Sequence, residues 1–130
     1  MKTLLLLFVF LQSLVYAQND LNKLYGRWDL EKVFINNKTF IPKKVNYFLE
    51  IHKERIEYNL DVNTYFAKVI KIDNKIISYK NEMHTLLCCD GNVEPDFNYL
   101  NYNGKYFLHG NLLIIENLTG IFFLKYSDKK

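Results

Sequence analysis

The sequence lacks the motifs that mark the common enzyme classes. It has no Gly-x-Ser-x-Gly elbow, no His-Glu-x-x-His zinc motif and no phosphate-binding glycine loop. Serine is scarce, and occurs only as Ser13, Ser78 and Ser127. The sequence leaves open the possibility of a catalytic carboxylate pair, because any two of the 14 acidic residues can meet in a fold. We predict a protein that is not an enzyme and that uses no cofactor.

A marked excess of one charge is also absent. The chain has 17 basic and 14 acidic residues, and its formal net charge is +3 at pH 7. The two signs are interspersed, whereas proteins that bind nucleic acid or an anionic membrane surface concentrate basic residues in a stripe or patch. Neither is a predicted partner.

No apolar run is long enough to span a membrane. The run Leu4–Tyr16 has about 13 residues, and a helix needs about 20 to cross the hydrocarbon core. It follows the charged start Met1-Lys2-Thr3 and precedes the small residue Ala17, which is the pattern of a secretory signal peptide. We predict a signal peptide over residues 1–17, with an uncleaved anchor as the alternative. The exported protein, periplasmic or extracellular, would begin at Gln18 and lacks the cysteine needed for lipid attachment.

After Ala17, short runs rich in Val, Ile, Phe and Tyr are separated by turn residues. The turn pairs are Asn36-Asn37, Asp73-Asn74, Asp90-Gly91, Asn103-Gly104, Gly110-Asn111 and Thr119-Gly120. This pattern predicts antiparallel β structure. The remaining 113 or so residues, 18–130, suffice for one domain, and about eight strands close around an interior that side chains can fill. We predict a mainly β fold, a small antiparallel β-barrel of about eight strands with one α-helix.

The predicted helix is Val93–Asn103, where the apolar spacing changes. Phe97 and Leu100 are three residues apart, and Glu94 and Pro95 suit the first turn of a helix. An early carboxylate interacts favourably with the helix dipole, and proline there removes no intrahelical hydrogen bond.

A set of residues across the chain matches one known pattern in order and spacing: Gly26, Trp28 and Leu30, then Thr85, Cys89, Glu94, Phe97 and Leu100, then Gly110. With these residues the chain resembles the META domain, a family of small heat-shock-associated envelope proteins of bacteria that also has parasite members. The resemblance extends from Leu24 to about Tyr126. It implies the same barrel, no established catalytic chemistry, and an envelope protein that acts through protein or surface contacts. It also implies a link to stress or antibiotic tolerance.

The only cysteines, Cys88 and Cys89, are adjacent in the sequence. Where the family typically has a cysteine before an asparagine, this chain has Val62-Asn63, so the disulfide that the resemblance implies for Cys89 has no partner. Three states stay open for an exported chain: a vicinal disulfide, a buried Cys89 beside an outward Cys88, and a bridge between molecules. A metal site with His84 is not predicted, because residues four apart on a strand lie about 13 Å apart, well beyond ligand distances of about 2 Å.

A second resemblance gives the alternative function. Gly26-x-Trp28 at the start of an eight-stranded barrel also resembles the lipocalin opening, which implies a carrier of a small hydrophobic ligand. The ten tyrosines and ten phenylalanines either fill the core or form an apolar binding face, and Phe48, on the polar side of the predicted strand Val45–His52, points to such a face. A filled interior favours contacts with an unidentified protein, whereas an apolar cavity on the order of several hundred Å³ favours the carrier.

Overall fold

The computed structural model describes residues 21–43, 47–60, 62–73, 75–85 and 101–128. The predicted signal peptide, residues 1–17, lies outside this part of the chain. Residues 21–24 are helical. The described strands are β1 (Gly26–Ile35), β2 (Lys38–Phe40), β3 (Phe48–Ile51), β4 (Arg55–Leu60), β5 (Asn63–Ile72), β6 (Ile76–His84), β7 (Gly104–His109), β8 (Leu112–Glu116) and β9 (Ile121–Tyr126).

Eight of these strands form a closed antiparallel barrel. The order around it is β1-β3-β4-β5-β6-β7-β8-β9, and pairing between β9 and β1 closes the ring. The ninth strand, β2, pairs only with β1 in a hairpin. Asn36 and Asn37 form its turn with φ of 50° and 62°, the left-handed conformation that two-residue hairpins require and that asparagine tolerates. The mainly β barrel predicted from the sequence is confirmed.

Strand β1 joins the two ends of the sheet. Its first half pairs with β3 and its second half with β2, while its other edge pairs with β9. The register with β9 shifts between Leu30 and Lys32. Such a bulge bends and twists a strand, so β1 can follow the curvature of the closed barrel.

The barrel interior is filled by side chains. Alternate residues of each strand point inward, and all eight barrel strands contribute to one core, which contains Leu24, Trp28, Leu30, Val33, Tyr47, Leu49, Ile51, Ile56, Tyr58, Ala67, Ile77, Tyr79, Tyr102, Tyr106, Leu113, Ile115, Phe122 and Leu124. Trp28 is 1% exposed, as predicted. Its indole N–H donates to the carbonyl oxygen of Leu24 at 2.8 Å, which fixes the helical turn 21–24 against the end of the barrel.

The helix of the described chain is not the one that the sequence predicts. Most of the predicted helix Val93–Asn103 lies outside the described residues, and its last three, 101–103, are not helical. There the Asn101 side chain accepts hydrogen bonds from the Asn103 backbone and side-chain amides, both at 2.8 Å. Such local bonds compete with helical ones. No helix among the described residues is both long and apolar enough to cross a membrane.

The prediction that Phe48 marks an exposed apolar binding face is wrong. Phe48 is only 8% exposed, and the Arg27 guanidinium lies over its ring, 4.0 Å from the centroid. Arg27 pairs with Glu50 across β1 and β3, and the pair Asp29–Phe48 lies two residues further along on the same face of the sheet. An outward aromatic ring is therefore covered by a neighbouring cation, which is a favourable arrangement, and Phe48 offers no free face.

Candidate functional site

The seam between β6 and β7 is the least paired place in the barrel wall. These strands pair only at Ile76–Lys105 and Ile77–Gly104, whereas the next pair, β7 and β8, is in register from Lys105 to His109. At one end of this paired stretch, which we call the upper end, β6 continues to His84. At the other, lower end, β7 continues to His109. Among the described residues, backbone pairing across the wall is therefore missing on both sides of a short ladder.

A cluster of buried tyrosines holds the upper part of the seam. We call Tyr58, Tyr79 and Tyr102 the seam tyrosines. The Tyr58 ring centroid lies 5.7 Å from those of Tyr79 and Tyr102. The Tyr102 amide donates to the Tyr79 hydroxyl at 2.9 Å, and the Tyr79 amide donates to Asn103 Oδ1 at 2.6 Å. Side chains therefore supply the connection between β6 and the chain before β7 that the backbone ladder does not.

Burial disfavours ionisation of these hydroxyl groups. It is the main cause that raises the pKa of Tyr58, against hydrogen bonds with Asn81 and Tyr79 that lower it. Burial likewise raises the pKa of Tyr79 well above its usual value, and raises that of Tyr102. The cluster stays neutral at physiological pH and serves as a hydrogen-bonded core.

The lower part of the seam opens into a cavity of about 820 Å³, which we call the seam cavity. It lies where β7 runs past the start of β6. Its described lining residues are Lys23, Lys75, Ile76, Lys105, Tyr106, Phe107, Leu108 and Gly110. Four of these contribute apolar or aromatic side chains, and three contribute lysines. The cavity thus combines an apolar surface with positive charge.

The backbone edge of β7 faces this cavity. The Tyr106 amide donates to the Lys75 carbonyl oxygen at 2.9 Å, so this edge points towards β6. Backbone groups two residues apart on a strand point to the same side, which places the N–H of Leu108 on this edge too. Past the pair Ile76–Lys105, no described strand pairs with this edge of β7. The cavity therefore has a backbone hydrogen-bond donor beside its apolar lining.

The described residues of the META resemblance lie at three separate places: Gly26, Trp28 and Leu30 on β1, Thr85 after β6, and Gly110 between β7 and β8. Gly26 begins β1 with φ of 127°, and a Cβ there would meet Tyr126 Cε2 at 2.9 Å. Thr85 lies just beyond β6, where its hydroxyl donates to Asn63 Oδ1 at 2.9 Å. Leu30 is buried in the core with Trp28. Gly110, in the β7–β8 turn with φ of 59°, lines the seam cavity. These residues support the barrel, and of them Gly110 alone touches the cavity within the described lining.

The remaining predicted site residues lie outside the described part of the chain. They are Cys88, Cys89, Glu94, Phe97 and Leu100. The redox alternatives for the two cysteines stay predictions. Strand β6 ends at His84, and residues 86–89 lie outside the described part of the chain.

No known family model, curated protein or solved structure matches this chain. The similarity to the META domain and to the lipocalin opening therefore stays at the level of the residues named above.

Sequence analysis did not find the seam cavity. Lys23, Lys75 and Lys105 are three of 17 basic residues, and no local motif distinguishes them. Lys75 and Lys105 come together because β6 and β7 pair at Ile76–Lys105. Phe107 is 56% exposed, but alternation along its strand gives no sign that it borders a cavity. The register of β6 against β7 is the missing information.

Proposed function

We propose that this is an exported, non-enzymatic binding protein that holds a small, largely apolar molecule in the seam cavity. The observation that supports this most directly is the cavity volume of about 820 Å³ with a lining that includes Ile76, Tyr106, Phe107 and Leu108. Small-molecule sites generally measure about 300–1,000 Å³ and are lined mainly by apolar and aromatic groups with a few polar ones. Export rests on the signal-peptide pattern of residues 1–17.

The proposed site differs from the cup of a lipocalin-like carrier. The barrel interior is occupied by Trp28, Tyr102, Phe122 and their neighbours, so the ligand would bind at a break in the wall. Binding there needs no emptying of the core. A ligand would pack against the side of β7 that β6 leaves uncovered.

The second candidate is a META-type envelope protein that acts through protein or surface contacts. The filled interior favours it, because the chain then offers its outer surface rather than an internal cup. Its connection with stress or antibiotic tolerance comes from the family resemblance alone. The two candidates differ in one measurable respect, which is binding of a small apolar molecule.

An uncharged fluorescent probe tests the proposal. N-phenyl-1-naphthylamine should bind the purified protein with a stoichiometry of one and with an increase in emission. Replacement of Phe107 by Ala should weaken this binding by about tenfold, since it removes an aromatic wall of the cavity; removal of an aromatic side chain from a binding pocket costs about 1–2 kcal/mol or more. Native mass spectrometry of protein from its source would identify a ligand carried through purification.

Phe34→Ala is the matched control. Phe34 is also a partly exposed phenylalanine on the outer face of the barrel, on β1, and does not belong to the described lining of the cavity. The Phe34→Ala substitution should leave probe binding unchanged. Absence of probe binding, or equal weakening by both substitutions, would show that the cavity is not the site and would favour the contact function.

A further inference from the structure

The charged residues in the described lining of the seam cavity all carry the same sign. Lys23, Lys75 and Lys105 line it, and no acidic residue of the described chain does. Lysine commonly lays its methylene stem along an apolar surface and keeps its ammonium group in water. The cavity therefore has an apolar floor with ammonium groups at its edge.

Lys75 and Lys105 are brought together by the strand register. Ile76 is the direct partner of Lys105, and Lys75 precedes it in the chain. Neighbouring strands are about 4.8 Å apart, and each lysine has a flexible four-carbon stem. Both ammonium groups can thus approach one anion held between the strands.

The described carboxylates nearest to Lys75 and Lys105 form no ion pair with them. The Asp73 carboxylate pairs with Lys71 at 3.1 Å and accepts the backbone N–H groups of Lys75 and Ile76, both at 2.9 Å. Glu116 is opposite Lys105 across β7 and β8. Neither Lys75 nor Lys105 forms an ion pair with a residue that the structure describes. A bound anion would therefore add charge pairing where the described chain supplies none.

The apolar part of the cavity fits a chain rather than a compact anion. Phe107 and Leu108 are successive residues on the uncovered stretch of β7, and Gly110 lies beyond them in the turn. An inorganic anion would leave this surface in contact with water. An alkyl chain would cover it, and burial of apolar area is favourable by about 25 cal/mol per Å².

Building on the proposed function, we infer that the seam cavity selects a single-chain anionic amphiphile of the alkyl carboxylate class. Its head group binds at Lys75 and Lys105, and its chain lies along Phe107 and Leu108. The charge complementarity at the rim and the apolar floor together specify this class. A neutral molecule of the same length can pack against the apolar floor but forms no charge pair with the two lysines.

Displacement of N-phenyl-1-naphthylamine by two matched ligands tests the inference. Dodecanoate and 1-dodecanol have the same chain and differ in the charge of the head. Dodecanoate should bind about tenfold more tightly, because charge-assisted hydrogen bonds are the stronger ones. The double substitution Lys75→Met and Lys105→Met should remove this preference and leave dodecanol binding within about twofold of the original protein, since methionine keeps an apolar stem.

Lys68→Met with Lys80→Met is the matched control. These two lysines are direct partners on the adjacent strands β5 and β6, and both are exposed, but neither lines the cavity. The control should keep the preference for dodecanoate. If a general loss of positive charge is what weakens binding, the control will lower dodecanoate affinity as much as the cavity variant does, which would overturn the inference.

Three other results would also overturn it, and they differ in what they leave standing. Equal binding of dodecanoate and dodecanol would refute the charged head and retain the apolar site. Failure of the probe itself to bind would refute the proposed function and the inference together. Binding to anionic lipid vesicles that depends on Lys75 and Lys105, without binding of dodecanoate, would replace the soluble ligand by a membrane surface.

Discussion

Replacement of Tyr79 by phenylalanine tests how the barrel is held together at its least paired seam. The Tyr79 side chain is 6% exposed, and its hydroxyl accepts the amide N–H of Tyr102, which is fully buried. Phenylalanine keeps the ring and removes this acceptor. A buried N–H left without a partner costs about 1–3 kcal/mol, a large share of the 5–15 kcal/mol that stabilises a typical domain.

Urea denaturation followed by far-ultraviolet circular dichroism would measure this loss, and thermal melting should show a decrease of roughly 4 °C per kcal/mol for a domain of this size. Hydrogen exchange adds a local measurement, because the Tyr102 amide should lose protection more than amides in the β8–β9 ladder. Tyr126→Phe is the control: it removes the same atom from a residue that is 40% exposed and should change stability by less than about 0.5 kcal/mol. If Tyr79→Phe is as mild as the control, the seam is held by other contacts and the reasoning fails.

Two further predictions follow from the packing. Trp28→Ala should destabilise the protein by about 3–5 kcal/mol or prevent folding, because it removes a buried aromatic ring. This ring contacts Tyr126, and its N–H donates a hydrogen bond to Leu24. In the unsubstituted protein, indole emission typical of a water-exposed ring would contradict the burial. Alkaline titration should unfold the domain above about pH 10. The pKa values of the seam tyrosines are raised in the folded protein. Their contribution to stability is therefore unaffected below the unfolded-state pKa and decreases as the pH rises above it. The part of the tyrosinate absorbance that comes from the seam tyrosines should therefore appear together with loss of circular dichroism, and titration of these tyrosines without unfolding would argue against their burial.

The fold could be predicted because its signals are local. Turn residues such as Asn36-Asn37 and Gly110-Asn111 separate short β-rich runs, and both pairs form two-residue hairpin turns in the structure. Composition and spacing identify such hairpins. The alternation at Tyr47, Leu49 and Ile51 likewise gave the inward face, since all three are buried. The exposure of Phe48 was mispredicted because alternation cannot show that a neighbouring strand places Arg27 over its ring.

The candidate site could not be predicted, because it depends on which strands are adjacent and in what register. Lys75 and Lys105 are 30 positions apart, as their numbers show, and become neighbours only through the pair Ile76–Lys105. Residues with distinctive chemistry, such as the cysteines and histidines, stand out in a sequence. A cavity built from lysine stems and ordinary apolar residues has no such signature, so its detection requires three-dimensional structure.

The position of the cavity is itself determined by one turn. Asp73 directly follows β5, and its carboxylate accepts the backbone N–H groups of Lys75 and Ile76. The bond from Lys75 is the largest cause that lowers the Asp73 pKa, followed by that with Lys71. The Tyr106 hydroxyl donates to the Asp73 carbonyl oxygen, which ties this turn to β7. Because the turn is fixed at this point, β6 cannot begin earlier, and the last three residues of β7 have no described neighbour on that side. The turn between β5 and β6 therefore also places Lys75 beside the stretch of β7, at Phe107 and Leu108, with which no described strand pairs on that side.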